Sequence, residues 1–159
     1  MSKKTIIKII SCGIIFLSLF PTIVLGSSPN NNDNEFIETE TIPTFSDKEF
    51  LSAPVRIEVF SKKGCIFCDK ATESLYPAIY DIFNKKQVAI RVLNASNEKV
   101  NQYFADNIDR FIIPDDFPKE AVPCFIINGK YAIYGYSEKD IDNYINDIKL
   151  LLKDKPLEN

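Results

Sequence analysis

The chain of 159 residues contains no histidine. A closed structural zinc site takes four nitrogen or sulfur ligands. Without imidazole, only Cys65, Cys68 and at most Cys124 remain as soft ligands in the body of the chain, so no metal site is assigned. Glycine is also scarce, at five residues, and no glycine-rich fingerprint for a nicotinamide or flavin dinucleotide is present. An excess of positive charge is missing as well: 19 basic residues stand against 22 acidic ones, a net charge of −3. The basic residues do not cluster with aromatics as a single-strand-binding groove requires, which excludes nucleic acid as an expected partner.

What is present begins with a leader. Met1 to Lys8 carry Lys3, Lys4 and Lys8 with no acid, and residues 9–25 (IISCGIIFLSLFPTIVL) are apolar apart from small polar residues. That is the layout of an export signal, and Val24-Leu25-Gly26 before Ser27-Ser28 places cleavage after Gly26. Residues 1–26 are therefore expected to be a signal peptide. The alternative is an uncleaved anchor, because the apolar run approaches the ~20 residues that span a bilayer. Either way the chain is expected to be exported: secreted, periplasmic or held at the cell envelope. Cys12 lies in this leader and is expected to leave with it. Loss of its three lysines leaves 16 basic against 22 acidic residues, a net of about −6. Residues 27–51 open with SSPNNNDNEFIETETIP, polar and acidic with almost no periodic apolar residue, and are read as a flexible polar linker.

From Ser52 the periodicity becomes legible and changes type repeatedly, as in an α/β domain spanning residues 52–155. Val55 to Phe60 (VRIEVF) alternates as a strand. Ala71, Leu75, Ala78, Ile79, Ile82 and Phe83 then recur at helical spacing, with Pro77 as an expected kink. Val88 to Leu93 (VAIRVL) is a second strand, and the helix between the two makes a parallel βαβ unit. Ser96 is expected to cap a helix that turns Val100, Tyr103, Phe104 and Ile108 inward. Pro123–Ile127 and Lys130–Tyr134 flank Asn128-Gly129, a strong hairpin signal. Ser137-Glu138-Lys139-Asp140 then opens a helix with Ile141, Tyr144, Ile145, Ile148, Leu151 and Leu152 on one face. The order is β, α, β, α, β, β, α.

Within that order, Val59-Phe60 leads into Gly64-Cys65-Ile66-Phe67-Cys68 and then Ala71 before the helix, Ala121-Val122-Pro123 precedes a strand, and Gly135-Tyr136-Ser137-Glu138 stands at the last helix. In these features residues 55–152 resemble the thioredoxin superfamily, with local wording closest to glutaredoxin-like domains. The resemblance implies a central four-stranded mixed sheet flanked by helices and a redox-active Cys65/Cys68 pair. It also implies a cis bond before Pro123, which would lie against the pair and leave the backbone of Val122 free to pair with an extended substrate. Glu138 matches the position that holds the amino end of glutathione in glutaredoxins. The chain departs from the pattern in three places. Ile66 stands where glutaredoxins usually carry proline, an export leader precedes a domain that is mostly cytosolic in its relatives, and the acidic stretch 106–120 looks like an insertion. Glutathione stays open as a small-thiol partner, with the leader weighing against it.

Elementary chemistry supports the redox reading independently. A thiol at a helix N-terminus faces the positive end of the helix dipole and unpaired amide donors, which favour thiolate. Cys65 would occupy that position, and Cys68, one turn on, would be shielded by its own helix, which separates an attacking from a resolving thiol. Lys62 and Lys63 add nearby positive charge, screened by salt. A structural staple is disfavoured, because a disulfide across so short a loop removes little chain entropy. A cluster shared between two subunits remains an alternative use of the same cysteines. Cys124 follows Pro123, and strand alternation turns it away from the pair, so it is read as an inert core residue, with a third redox thiol as the alternative. Tyr131, Tyr134 and Tyr136 are read as packing residues.

The sequence thus predicts an exported thiol–disulfide oxidoreductase. Cys65 and Cys68 are its catalytic residues, Val122, Pro123, Ile66 and Phe67 its substrate contacts, and Lys62, Lys63, Cys124 and Glu138 its auxiliary candidates. No bound cofactor is expected beyond the Cys65–Cys68 disulfide itself. The expected partners are cysteine-containing exported proteins and a membrane redox protein that resets the pair. The direction of electron flow is left open. So are a non-catalytic peptide-binding module and a metal or iron–sulfur carrier.

Overall fold

The computed structural model describes residues 34–113, 121–154 and 157. The leader assigned to residues 1–26 and the 114–120 part of the acidic stretch lie outside the described residues. Among the described residues no helix is long and apolar enough to cross a membrane.

The elements are α1 (Asp47–Ser52), β1 (Val55–Ser61), α2 (Ile66–Lys70), a π-helical turn (Ala71–Leu75), α3 (Tyr76–Ile82), β2 (Val88–Asn94) and α4 (Glu98–Asn107). They continue with a 3-10 turn (Ile108–Arg110), β3 (Cys124–Ile127), β4 (Tyr131–Tyr134), a second 3-10 turn (Glu138–Asp140) and α5 (Ile141–Leu151). The strands form a sheet in the order β2-β1-β3-β4. β1 pairs parallel with β2, from Val55 opposite Val88 to Ser61 opposite Asn94, and antiparallel with β3, which forms a hairpin with β4. This is an α/β, thioredoxin-like architecture: a four-stranded mixed sheet flanked by helices.

Alternation along the strands sorts the core into two layers. Val55, Ile57, Val59, Phe125 and Ile127 face Ala71, Leu75, Tyr76 and Ile79 on one side, together with Tyr144, Ile145 and Ile148 of α5. Phe60, Cys124 and Ile126 face the opposite side, against Val100, Tyr103 and Phe104 of α4. At the hairpin both Asn128 and Gly129 have positive φ, at 53° and 65°, as a type I′ turn requires. Asn128 does more than turn the chain. Its side chain accepts from the Arg56 N–H at 2.7 Å and donates to the Pro54 carbonyl at 3.2 Å, tying the hairpin to the start of β1.

Four features differ from the sequence reading, each for a local physical reason. After Cys68, Tyr76 is buried and Ile82 is 53% exposed, where Ile82 was expected inward. The cause is the π-helical turn, in which the Tyr76 N–H bonds five residues back to the Ala71 carbonyl. The widened turn leads into Pro77, which has no N–H to offer, and the extra residue rotates the following face. The cap of α4 is Asn97 rather than Ser96, its Oδ1 accepting from the Lys99 and Val100 amides at 2.9 and 3.3 Å. At the last helix Ser137 makes no side-chain cap, and a 3-10 turn intervenes before α5 begins at Ile141.

The fourth difference is the largest. From residue 34 onward, the stretch 27–51 read as a flexible linker is packed on the domain. Ile37 donates to the Val92 carbonyl and Asn94 to the Glu35 carbonyl, both at 2.9 Å, with Phe36 bridging Leu93. α1 follows with a Ser46/Glu49 capping box, and Phe50 is buried with Ala53 and Ala89. Arg91 pairs with Asp47 at 2.6 Å and lies 4.2 Å over the Phe50 ring. β2 is an edge strand whose open backbone groups this strap covers. At the opposite edge Ile112 bridges Tyr131, its N–H donating to Lys130 at 2.6 Å and its carbonyl accepting from Ala132 at 3.0 Å. The first part of stretch 106–120 is thus the end of α4, a 3-10 turn and a cover for β4.

Candidate functional site

The site is assembled where β1 hands over to α2. After Ser61 the chain turns through Lys62-Lys63-Gly64, closed by the Cys65 N–H to the Lys62 carbonyl at 3.2 Å. Gly64 has φ +78°, a region that side-chain-bearing residues rarely adopt. Cys65 is extended, with φ −87° and ψ 110°, and is the N-cap of α2. Its Sγ accepts the backbone N–H of Cys68 at 3.3 Å, so sulfur takes the place usually filled by a serine or aspartate oxygen.

Cys65 and Cys68 are joined as a disulfide, with Cα atoms 5.2 Å apart. Their surroundings differ. Cys65 is half-buried, whereas Cys68 is 3% exposed beneath its own helix. Ile66 and Phe67, between them, are 70% and 56% exposed, an apolar dipeptide held at the surface. Lys62 and Lys63 are exposed on the approach to the pair.

A second segment, 57 residues away in sequence, completes the site. The Val122 carbonyl oxygen lies 3.6 Å from Cys65 Sγ. The Val122–Pro123 peptide bond is cis, and Pro123 is buried with its carbonyl accepting the Gly135 N–H at 2.7 Å. Val122 is thus held beside Cys65 by a backbone anchored in β3 and the start of the last loop. That loop is tied back to the helix after Cys68, where Ser74 Oγ and the Tyr136 hydroxyl lie 2.6 Å apart. Burial raises the Tyr136 hydroxyl pKa, opposed by the Ser74 hydrogen bond and reinforced by Glu138 and Asp140. Glu138 itself stands exposed at the first residue of the 3-10 turn.

Cys124 is a free thiol, 2% exposed, on the α4 side of the sheet with Phe60 and Ile126. Burial pushes its pKa up to about 12, so it stays protonated near neutrality. Among the described residues no group of three or more metal-ligating side chains gathers. Two features of this region were not read from the sequence. One is Glu58 on β1, which accepts the Tyr103 hydroxyl at 3.0 Å and whose pKa is raised by burial against the opposing pull of Tyr103, Arg91 and Arg56. The other is a cavity beside Val122, lined in part by Phe60, Phe104 and Ile108. The aromatics and Ile108 read as core at helical and strand spacing, and nothing in that spacing marks a space between them.

Over 99 residues the chain is 28% identical to a glutaredoxin-like protein of Dictyostelium discoideum, covering 62% of this chain and 80% of the relative. No protein-family model and no solved structure matches the chain. The relative supports a glutaredoxin-like domain of the thioredoxin superfamily. Taken with the close Cys65–Cys68 pair, it points to a redox function.

Proposed function

We propose that the protein is an exported thiol–disulfide oxidoreductase working through Cys65-Ile66-Phe67-Cys68. The observation that carries the reading is the asymmetry of the pair: an accessible sulfur capping a helix, joined to a buried one a turn later. In the reducing direction the Cys65 thiolate attacks one sulfur of a substrate disulfide, and the other substrate sulfur leaves as thiolate and takes a proton. The Cys68 thiolate then attacks Cys65 in the mixed disulfide and releases the second substrate thiol. Two electrons pass from the protein dithiol to the substrate, and the protein is left as its disulfide. The oxidising direction is the same sequence reversed.

The substrates are cysteine-containing exported proteins. Val122 supports this reading, since its backbone lies beside the reacting sulfur where an extended chain can pair with it. Both outer edges of the sheet are covered among the described residues, by Phe36 on β2 and Ile112 on β4, which leaves the Val122 segment as the natural place for such pairing. The leader at residues 1–26 carries the chain out of the cytosol, and a membrane redox protein resets the pair.

Titration of the Cys65–Cys68 pair against dithiol and glutathione buffers, with Cys124→Ala as a control, tests the reading. A potential near about −270 mV identifies a reductant of exported disulfides, and one near about −120 mV an oxidant that introduces them. A pair that never titrates overturns the redox reading. The alternative is a peptide-binding module built on the exposed Ile66-Phe67 and the Val122 backbone; it predicts that Cys65→Ser leaves peptide binding and cellular phenotype intact.

A further inference from the structure

Beside the Val122 segment, on the α4 side of the sheet, lies an open cavity of about 560 Å³ that the exchange chemistry does not use. Its walls are Phe60 and Cys124 of the sheet, Phe104 of α4, Ile108 of the 3-10 turn that follows it, and Val122 itself. Lys62, Asn101 and Ala105 also line it, and all three are exposed. The walls are predominantly apolar and the volume falls within the range of ligand sites, roughly 300–1,000 Å³.

Val122 belongs to two places at once. Its carbonyl stands 3.6 Å from Cys65 Sγ, and the same residue forms one wall of the cavity. Lys62, three residues before Cys65, forms another part of the lining. A substrate chain that brings its cysteine to Cys65 and runs along Val122 therefore carries a neighbouring residue to the wall that Val122 shares with the cavity. We propose that this cavity is a specificity pocket that takes a large apolar side chain flanking the reacting cysteine of a protein disulfide. The inference rests on the thiol–disulfide reading above and names its substrate class.

The physical consequence is selectivity between disulfides of equal intrinsic reactivity. Each buried methylene gains about 0.8 kcal/mol, roughly fourfold. A leucine or phenylalanine buried even in part should therefore outpace glycine by tenfold or more. Glutathione disulfide has no apolar side chain beside its cysteine, only glycine and a γ-linked glutamate, so it forgoes this gain. The pocket makes the site selective for peptide over glutathione without any repulsive group.

The test uses the reduced protein and three disulfide probes: a peptide with leucine on both sides of a cysteine disulfide, the same peptide with glycine on both sides, and glutathione disulfide. The expected result is a kcat/KM at least tenfold higher for the leucine peptide, carried mainly by KM. Ala105→Trp, which fills the mouth from an exposed position on α4, should abolish that advantage and leave the other two rates unchanged. Asn101→Leu, also exposed at the lining, should enlarge the advantage and serves as the second variant. Equal rates on all three probes, or a leucine preference untouched by Ala105→Trp, overturn the pocket while the redox reading stands. A protein whose reduced form is inert to all three disulfides, and whose oxidised form is inert to the corresponding thiols, overturns the redox reading itself and the pocket with it.

Discussion

The backbone N–H of Cys68 meets the Sγ of Cys65 at 3.3 Å, across one turn of helix. The bond belongs to the helix cap rather than to the disulfide, and an amide donor favours the sulfur that carries negative charge. Cys65 should therefore be alkylated well before Cys68 in the reduced protein, as mass spectrometry after brief iodoacetamide treatment would reveal. Cys65→Ser should abolish exchange, whereas Cys68→Ser should retain the first attack and accumulate a mixed disulfide on non-reducing gels. Equal labelling of the two thiols would contradict the assigned roles.

Cys124 should behave as an inert thiol. Burial holds its pKa near 12, above its ordinary value of 9.0, so the folded state keeps the proton that the unfolded state gives up. Its contribution to stability is whole below about pH 9 and is lost as pH rises from there through about 12. In the native protein at pH 8 it should resist alkylation and become reactive only after denaturant is added.

Glu58 makes the opposite of an acid-labile contact. Burial raises its pKa above 4.5 despite the Tyr103 hydroxyl and the two arginines. The folded state therefore holds its proton more tightly than the unfolded one, and this group's contribution is fullest below about pH 4.5 and falls as pH rises through the raised value. Glu58→Gln keeps an acceptor for Tyr103 and removes the charge. It should raise Tm at pH 7, leave Tm near pH 4 little changed, and flatten the dependence between them; a lowered Tm at pH 7 would show that the charge stabilises the fold.

Phe50→Ala distinguishes a packed strap from a spacer. Phe50 is 4% exposed against Ala53 and Ala89, with the Arg91 guanidinium over its ring. Its truncation should cost about 3 kcal/mol in urea unfolding. A change within about 0.5 kcal/mol, the usual effect of a surface substitution, would return this segment to the status of a linker.

Substituting Gly64 tests the turn that delivers Cys65. No atom lies within 4 Å of a Cβ added there, so the cost comes from φ alone. Gly64→Ala should lose about 1 kcal/mol and slow exchange by displacing the cap, whereas Gly64→Asn, better suited to positive φ, should recover part of both.

The strands, the Asn128-Gly129 hairpin and the inward faces of α4 and α5 were legible because each is written in local periodicity or turn chemistry. The two cysteines were legible for the same reason, since a cap and a partner three residues on need only one helical turn. Other features depend on what lies across the fold. The segment from Phe36 to Phe50 has apolar residues without a period, and their partners are supplied by the exposed edge of β2 and by Ala89 and Arg91. The π-helical turn before Pro77 decides that Tyr76 is buried and Ile82 is not.

The sequence by itself determined the four strands, the helices from α2 onward and the cysteine pair at the start of a helix, because backbone propensity and helix-end chemistry act over a few residues. Only the tertiary structure decided that Val122 stands 3.6 Å from Cys65 Sγ and that Phe60, Phe104 and Ile108 line a cavity beside it. Contacts between residues tens of positions apart are set by how the layers pack against the sheet, and no local pattern records them.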